Sequence, residues 1–250
     1  MLTKHQIKLF KSLNNKKYRN FEKKIIIEGH RLIQEAINAN AKLDGIWYTE
    51  EYCQKNTEFI TKLKDSEIKC QKTSSKSLSK ICDSQNNQGI IALHPLPNRS
   101  EYQVSNSPAL LLDNISDPGN MGSILRTADW FGIKNIICSR KCVDPYNSKV
   151  IRSAMGAHFY LDQIIQTSLS KLISQLKNEG FNIIGAEING IALNKFSLPQ
   201  KWVLILGNEA HGISSSLKPL LDKSVTIPKS GNIESLNVAV ASGVILSSFV

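Results

Sequence analysis

Three stretches of this 250-residue sequence place polar residues and glycines directly after short apolar runs. In LLLDNISDPGNMGSILR (110–126), an Asp-Pro-Gly-Asn turn leads into a predicted helix that presents Arg126 one turn later. In LILGNEAHGI (204–213), Glu209 follows an apolar run, and IPKSGNIESLN (227–237) repeats the pattern around another glycine. Main-chain N–H groups in such turns can face a ligand, and a guanidinium binds phosphate or stabilises developing negative charge. These residue types predict a binding or catalytic site for a polar substrate.

Each stretch also has a purely structural interpretation. Arg126 can be an ordinary surface arginine, and a glutamate placed like Glu209 can cap a helix. We predict that the closing helix begins near Ser235, so that Ser235 and Asn237 lie in its first turn, where Ser and Asn commonly cap. The positive end of that helix then points towards the predicted ligand. Local sequence alone leaves both interpretations open.

The elements that must position these residues alternate between short apolar runs and helical patterns after residue 108. Strands that alternate with helices form a parallel sheet, and ligands bind such a sheet at the carboxyl ends of its strands. All three polar stretches follow predicted strands, so we expect them at one edge of one α/β sheet. We predict strands at 109–113, 135–138, 181–187, 202–207 and 224–228, and helices at 121–132, at 168–180 and from about 235.

The first hundred residues predict a second, smaller α/β domain. A helix near 3–13 precedes an apolar trio and a helical pattern, while GIWY (45–48) and GIIALHP (89–95) are typical of strands. A stretch rich in Pro, Ser and Asn then indicates a linker. The predicted division is 1–97 for the first domain, 98–108 for the linker and 109–250 for the second domain.

Positive charge is concentrated in the first domain. The whole chain carries a formal charge of +10, and residues 1–99 hold 18 Lys and Arg against 10 Asp and Glu. A basic domain favours a polyanionic partner, although a solvated lysine-rich surface is the simpler alternative. The predicted RNA contacts in the densest cluster are Lys16, Lys17, Arg19, Lys23 and Lys24.

Cysteine usage and hydropathy restrict the compartment. Five cysteines, an odd number without a Cys-x-x-Cys pair, indicate reduced thiols and no metal site. No apolar run reaches the roughly 18 residues of a membrane span, and the N-terminus lacks the apolar core of a secretory signal. We therefore expect a cytoplasmic protein with no membrane partner. The acid-free first 21 residues leave a transit peptide as an alternative, which their few arginines and serines disfavour.

Taken together, the three stretches resemble the motifs of the SpoU, or TrmH, family of RNA ribose 2'-O-methyltransferases in the SPOUT superfamily. A weaker resemblance links roughly residues 20–95 to the family's RNA-binding module, whose fold is similar to certain ribosomal proteins. The residues that match the family motifs, in the family's order, are Asn114, Asp117, Pro118, Asn120, Gly122, Arg126, Thr127, Ala128, Phe131 and Gly132, then Gly207, Glu209, Gly212 and Ile213, then Ile227, Pro228, Gly231, Ser235, Leu236, Asn237 and Val238.

The resemblance implies an α/β fold with a deep trefoil knot in the C-terminal parallel-sheet domain, a bound S-adenosylmethionine and a homodimer formed through that domain. It also implies that Arg152, in SKVIRSAMGAHFY, contacts an RNA phosphate, against the alternative of an ordinary surface arginine. The implied catalytic residues are Arg126, Asn120, Glu209, Ser235 and Asn237. The implied cofactor contacts, largely through main-chain groups, are Gly207, Ile227 and Leu236.

The activity that the resemblance implies is methylation of a ribose 2'-hydroxyl, most readily in ribosomal RNA because a separate basic module precedes the methyltransferase domain. DNA lacks that hydroxyl and is not expected to be a substrate. A guanidinium holds its proton up to a pKa above about 12, so Arg126 is expected to stabilise negative charge rather than act as a base. The alternatives are ribose methylation of tRNA, and a non-catalytic ribosome-assembly factor that binds RNA on the same fold.

Overall fold

Two separate sheets organise this chain. The computed structural model describes residues 2–83, 87–97, 102–103 and 107–250. The chain forms two units, Met1–Asn98 with Tyr146–Phe159 and Arg99–Pro145 with Tyr160–Val250. Each unit has a hydrophobic core of its own.

The first unit contains a four-stranded sheet with short helices. Its strands are β1 (Lys24–Glu28), β2 (Gly45–Tyr48), β3 (Cys70–Lys72) and β4 (Ile90–Pro95). Its first six helices are α1 (Lys4–Ser12), α2 (Lys16–Glu22), α3 (His30–Asn38), α4 (Glu50–Lys55), α5 (Thr57–Lys64) and α6 (Ser75–Ser79). β4 lies between β1 and β2 and is antiparallel to both, and β3 runs parallel to β2. Buried Ile25, Ile27 and Ile46 stabilise the pairing, because β-branched side chains fit a pleated, buried surface.

The second unit is built on a six-stranded parallel sheet. Its strands are β5 (Ala109–Leu112), β6 (Asn135–Ser139), β7 (Gln163–Thr167), β8 (Asn182–Ala192), β9 (Trp202–Leu206) and β10 (Lys223–Thr226). Its helices are α7 (Pro118–Trp130), α9 (Leu169–Asn178) and α10 (Val238–Phe249). The strand order is β10-β8-β9-β5-β6-β7, and every pair is parallel. The predicted parallel α/β sheet is confirmed, and its central strands β5 and β9 are buried along their whole length.

One helix of the C-terminal half belongs to the first unit. The prediction from sequence placed all of 109–250 in one domain. The segment Tyr146–Phe159 contains α8 (Ser148–Ala154) and a 3-10 turn, Ala157–Phe159. Ile151 is buried in the same core as β1 and α3. Alternating helix and strand patterns carry no sign of which sheet a helix packs against, so this assignment needed the structure.

The closing helix begins later than predicted. α10 starts at Val238, and Asn237 is its N-cap, accepting hydrogen bonds from the N–H groups of Ala239 and Val240 at 2.9 and 3.3 Å. The backbone of an N-cap residue is not helical, so the first helical residue is the one that follows it. Ser235 therefore lies in the exposed loop before α10 and not in its first turn.

Most of the predicted linker, 98–108, lies outside the described residues. Of its described positions, Tyr102 is buried in the core of the second unit, and the N–H of Gln103 donates to Gln163 Oε1 at 3.0 Å. These two residues are thus part of the second unit.

The described part of the chain contains no membrane-spanning helix, no cluster of metal ligands and no disulfide. No helix there is both long and apolar enough to cross a bilayer. No three His, Cys, Asp or Glu side chains among those residues lie together as metal ligands. All five cysteines are free thiols.

Candidate active site

The loop after β5 fixes the start of α7. Asn114 turns the chain with a left-handed φ of 59°, and its N–H donates to Ser139 Oγ at 2.9 Å. Asp117 caps the helix by accepting from the N–H of Asn120 at 2.8 Å. Pro118 suits the first helical position, because its φ is preset and its missing N–H is not needed there. Asn120 is thereby fixed as the third residue of α7.

The loop after β9 folds back on itself and is tied to the first loop. Asn208 and Gly212 exchange main-chain hydrogen bonds of 3.0 and 2.8 Å. The turn is so tight that a Cβ on Gly207 would lie 2.2 Å from the carbonyl carbon of Gly212. Asn208 Nδ2 donates to the main-chain oxygen of Asn114 at 2.9 Å. Its Oδ1 also accepts from the N–H of Ala210 at 2.9 Å, so one side chain holds both loops.

A chain of side-chain hydrogen bonds joins all three strand exits. Asn120 Nδ2 donates to Glu209 Oε1 at 2.7 Å, and Asn120 Oδ1 accepts from Asn237 Nδ2 at 2.9 Å. The second carboxylate oxygen of Glu209 accepts from Asn208 Nδ2 at 3.3 Å. Asn120 and Asn237 are 117 residues apart in sequence, and Asn120 and Glu209 are 89 apart. Asn120 therefore links two other predicted catalytic residues, Glu209 and Asn237.

Asp113 holds the loop after β9 through a buried side chain. The sequence analysis did not predict this residue. Its side chain is buried, and Oδ2 accepts from the N–H of Ser214 at 2.8 Å, just after the second loop. Its own N–H donates to the carbonyl of Leu206 at 2.8 Å. A carboxylate at the end of the apolar run ALLLD was a usable signal, because a charged side chain there must find a partner. Asn208 was missed as well, although it lies between Gly207 and Glu209.

The loop after β10 contrasts with the other two. Residues 228–237 are all exposed. The main-chain N–H groups of residues 229–236 donate to no residue in the part of the chain that the structure describes. The one side-chain bond onto this main chain runs from Lys229 Nζ to the carbonyl of Ile233 at 3.2 Å. Of the predicted cofactor contacts, Gly207 and Ile227 are half-buried and Leu236 is exposed.

Two predicted catalytic residues stand apart from the hydrogen-bond chain. Arg126 is exposed on α7, six residues after Asn120, and that spacing places the two on different faces of a helix. Within the described ranges, neither Arg126 nor Ser235 forms a side-chain hydrogen bond or ion pair. Both side chains are thus available to a substrate.

The contacting residues present fixed polar groups to a substrate. Glu209 accepts hydrogen bonds from the side-chain amides of Asn120 and Asn208, and no ion pair to it is formed within the described ranges. A polar network whose members are mutually satisfied is rigid. Such an arrangement can orient a hydroxyl group or a cationic ligand beside the exposed third loop.

The predicted RNA contacts of the first unit fall into two groups. Lys16, Lys17 and Lys23 are exposed. Lys24 Nζ pairs with Asp44 Oδ2 at 2.9 Å. Arg19 is only 4% exposed, and its Nη1 donates to the carbonyl of Leu13 at 2.8 Å, so its guanidinium stabilises the fold.

Arg152 has carboxylate neighbours. Its guanidinium nitrogens lie 3.7 Å from Glu28 Oε2 and 3.7 Å from Asp83 Oδ2. Ser148 Oγ also donates to Asp83 Oδ2 at 2.7 Å. A phosphate would have to compete with these carboxylates, so the structure gives Arg152 a role within the first unit.

Two family models match the sequence. The model described as the SpoU rRNA methylase family covers residues 107–247. The model described as an MRM3-like substrate-binding domain covers residues 4–92.

Individual proteins match over nearly the whole chain. The 23S rRNA (guanosine(2553)-2'-O)-methyltransferase RlmP of Bacillus subtilis is 31% identical over 96% of this chain and 94% of its own length. A structure from Porphyromonas gingivalis, ascribed to the TrmH family of RNA methyltransferases, has a TM-score of 0.86 and 29% identity, covering 100% of this chain and 98% of that one. The SpoU methyltransferase AviRb of Streptomyces viridochromogenes, in complex with AdoMet, also has a TM-score of 0.86 at 22% identity, covering 99% of this chain and 97% of its own, which supports the fold alone.

Proposed function

This chain belongs to the SpoU rRNA methylase family, and from that premise we propose that it transfers a methyl group from S-adenosylmethionine to a ribose 2'-hydroxyl of ribosomal RNA. The observation that carries the proposal is the hydrogen-bond chain from Asn237 through Asn120 to Glu209, which assembles one site from three strand exits. Similarity over nearly the whole chain to a named 23S rRNA 2'-O-methyltransferase favours ribosomal RNA over tRNA.

The residues present fit S-adenosylmethionine. The unpaired N–H groups of residues 229–236 suit the carboxylate and adenine nitrogens of that cofactor, and exposed Ile233 and Leu236 suit its apolar surfaces. We assign Gly207, Ile227 and Leu236 to cofactor binding, largely through their main chain. When bound, the cofactor supplies an electrophilic methyl group on a sulfonium centre.

Arg126 is assigned to charge stabilisation. Its guanidinium is exposed and without a partner among the described residues, so it can bind the phosphate next to the target ribose. A fixed cation there also stabilises the 2'-oxygen as its proton leaves, while the guanidinium keeps its own proton. Asn120, Glu209 and Asn237 position the ribose, and Ser235 lies in the loop beside them. Holding the hydroxyl in line with the methyl group supplies much of the acceleration.

RNA binding is assigned mainly to the first unit. Lys16, Lys17 and Lys23 are exposed, Lys24 pairs with Asp44, and Arg19 is buried. DNA is excluded as a substrate because it lacks the reacting hydroxyl. These lysines give the affinity its salt dependence, since each phosphate contact releases counterions.

A homodimer through the second unit is part of the proposal. Trp130 is 83% exposed on α7, and Val240 and Val244 are exposed on α10, which packs against α7. Exposed apolar groups on packed helices favour a self-complementary contact. Arg126 lies one turn before Trp130, so it lies at the margin of this surface. Light scattering should give twice the chain mass for the wild type and the chain mass for Val240→Lys, and an unchanged dimer in that variant contradicts this contact.

Two further features complete the proposal. The first is the trefoil knot, which membership of the SpoU family implies for the second unit. The second is action in the cytoplasm, supported by five free thiols, since disulfides are rare in reducing compartments.

The test is methyl transfer from labelled S-adenosylmethionine to unmodified ribosomal RNA and, separately, to tRNA. The methylated ribose is then mapped by its resistance to alkaline cleavage. We expect label at a 2'-oxygen of ribosomal RNA. Arg126→Ala should slow transfer by about 100-fold or more, the usual cost of removing a group that stabilises developing charge. Lys171→Ala, which removes an exposed cation from α9, is the matched control and should leave the rate unchanged.

The same assay separates the alternatives. Label on tRNA alone would identify a tRNA ribose methyltransferase. Bound RNA without cofactor binding or methyl transfer would instead identify a non-catalytic RNA-binding protein. Either result overturns the proposed activity.

A further inference from the structure

Helix α2 presents two aromatic rings to solvent. Phe21 is 80% exposed and Tyr18 is 45% exposed, although Phe is among the residues most often buried in folded proteins. The two are three residues apart, so their side chains are neighbours on one face of the helix. Lys17 precedes Phe21 by one turn and joins the same face.

The orientation of this face is fixed by the opposite side of α2. Arg19 is 4% exposed, and its Nη1 donates to the carbonyl of Leu13 at 2.8 Å. Asn15 caps the helix by accepting from the N–H of Lys17 at 2.9 Å. A helix held by a buried arginine and a cap cannot turn its aromatic face inward without breaking both contacts. The exposure of Phe21 is therefore a property of the folded unit.

The surroundings of the aromatic face are strongly basic. Residues 2–21 contain no Asp or Glu. On α1, lysines at intervals of four and three residues lie along one exposed stripe. The exposed lysines of the two helices and of the α2 C-cap are Lys4, Lys8, Lys11, Lys16, Lys17 and Lys23.

We propose that α2 is a stacking platform for unpaired RNA bases, with Phe21 and Tyr18 against the base faces and the lysines of α1 and α2 against the phosphates. This inference rests on the proposed function, because it assigns a contact within the same RNA substrate. Aromatic rings interleaved with cations are how proteins bind single strands, since every base has a face that can stack. Paired bases of an A-form helix are already stacked and leave no such face, so the platform selects a single-stranded segment.

A membrane surface is the less suitable partner for the same face. Interfacial helices carry a broad apolar face, whereas α2 has seven residues and two exposed aromatic ones.

The test uses the full-length chain and two probes, a labelled oligouridine of about 12 nucleotides and a blunt RNA duplex of the same length. Phe21→Ala and Phe21→Leu should weaken oligouridine binding about five- to tenfold, because both remove the ring. Phe21→Tyr keeps the ring and should bind within about twofold of the wild type. Binding to the duplex should be unchanged in all three variants. The ring is exposed, so the thermal midpoint should not move.

Salt dependence separates the rings from the lysines. Phe21→Ala should leave the slope of log affinity against log salt unchanged, whereas Lys17→Gln should reduce it by about 0.7, the loss of one single-strand phosphate contact. Lys62→Gln is the matched lysine control, since Lys62 is exposed but pairs with Glu58 at 2.7 Å and should change neither affinity nor slope.

Three results overturn the platform. The first is an oligouridine affinity unchanged in Phe21→Ala, and the second is equal weakening of single-strand and duplex binding in that variant. The third uses vesicles of anionic lipid as an additional probe: Phe21→Ala loses binding to them while its RNA binding stays intact. Failure of the proposed function is a different result, because it would appear in the wild type as absence of methyl transfer to any RNA. A wild type that methylates RNA, together with a fully binding Phe21→Ala, removes only the platform.

Discussion

Two loops at the same end of the second sheet differ sharply in how they are held. The loop at 207–213 closes on itself through Asn208 and Gly212 and is tied to the Asn114 turn. The loop at 228–236 is exposed, and its main-chain donors have no partner within the described ranges. The first loop is held by hydrogen bonds within the protein, whereas the main-chain donors of the second face solvent.

The difference indicates that the two loops have different roles in the site, one in positioning side chains and one in binding a ligand. A loop with its hydrogen bonds already made can hold Glu209 and Asn120 in fixed positions before any substrate arrives. A loop whose main-chain donors face solvent can exchange water for the acceptor groups of a ligand. We therefore expect changes in the first loop to affect folding and catalysis together, and changes in the second to affect ligand binding alone.

The largest expected effect comes from matched glycine substitutions in the two loops. Gly207→Ala places a Cβ 2.2 Å from the main chain of Gly212, so the loop must open. We expect a loss of about 3 kcal/mol in the free energy of unfolding and no detectable transfer. A Cβ on Gly231 meets nothing within 4 Å, so Gly231→Ala should stay within about 0.5 kcal/mol of the wild type. Equal unfolding curves for both variants, measured in urea, would remove the contrast.

A smaller effect is expected from replacing Asn120, which links the loops that follow β5, β9 and β10. Asn120→Ala removes the donor to Glu209 and the acceptor for Asn237, so the ribose-positioning groups lose their common partner. We expect methyl transfer to slow by about 100-fold, in the range for removal of one polar group from an active site. Cofactor affinity, measured by calorimetry, should change by less than about threefold because the loop at 228–236 is untouched. A variant that loses cofactor binding as strongly as transfer contradicts this separation.

Hydrogen exchange should distinguish the loops without any mutation. The amides of Asn208 and Gly212 are bonded to each other's carbonyls and should exchange slowly with or without ligand. Amides in 229–236 should exchange rapidly in the free protein and about tenfold or more slowly once S-adenosylmethionine is present. Equal rates in this loop with and without cofactor would show that it does not form the cofactor site.

The smallest effect separates two roles of one side chain. Asn237 caps α10 through Oδ1 and donates to Asn120 through Nδ2. Asn237→Asp keeps the acceptor and loses the donor, so stability should hold while transfer falls about fivefold. Asn237→Ala loses the cap as well and should cost about a further 1 kcal/mol of unfolding free energy. If both variants are equally stable, measured by urea unfolding, the cap contributes nothing.

Much of the second sheet could be predicted from sequence, because its strands are short apolar runs bounded by turn residues. The apolar runs predicted as β5, β6 and β9 are strands at nearly the predicted bounds, and Gly132 follows α7 with a φ of 72°. Asn120, Glu209 and Asn237 were predicted from motif resemblance, and the structure adds that they are in contact.

Other features could not be read from local patterns. Arg19 sits in a lysine-rich run that predicts solvent exposure, yet it is buried by the packing of α2, a tertiary effect. The carboxylate neighbours of Arg152, Glu28 and Asp83, are distant in sequence, so no local pattern indicates them. The start of α10 was misplaced because Ser235 and Asn237 are equally good caps by type, and only the acceptor geometry distinguishes them.

The segment Tyr146–Phe159 has a consequence for how the molecule can be divided. It lies between β6 and β7 of the second unit in sequence, but Ile151 fills the core of the first unit. Gly156 comes so near Glu35 that an added Cβ would lie 2.6 Å from the Cβ of Glu35. The stretch 2–97 on its own would therefore lack part of the interior of the first unit. Each of the two units is therefore assembled from two separate stretches of the chain, and neither is one continuous piece of sequence.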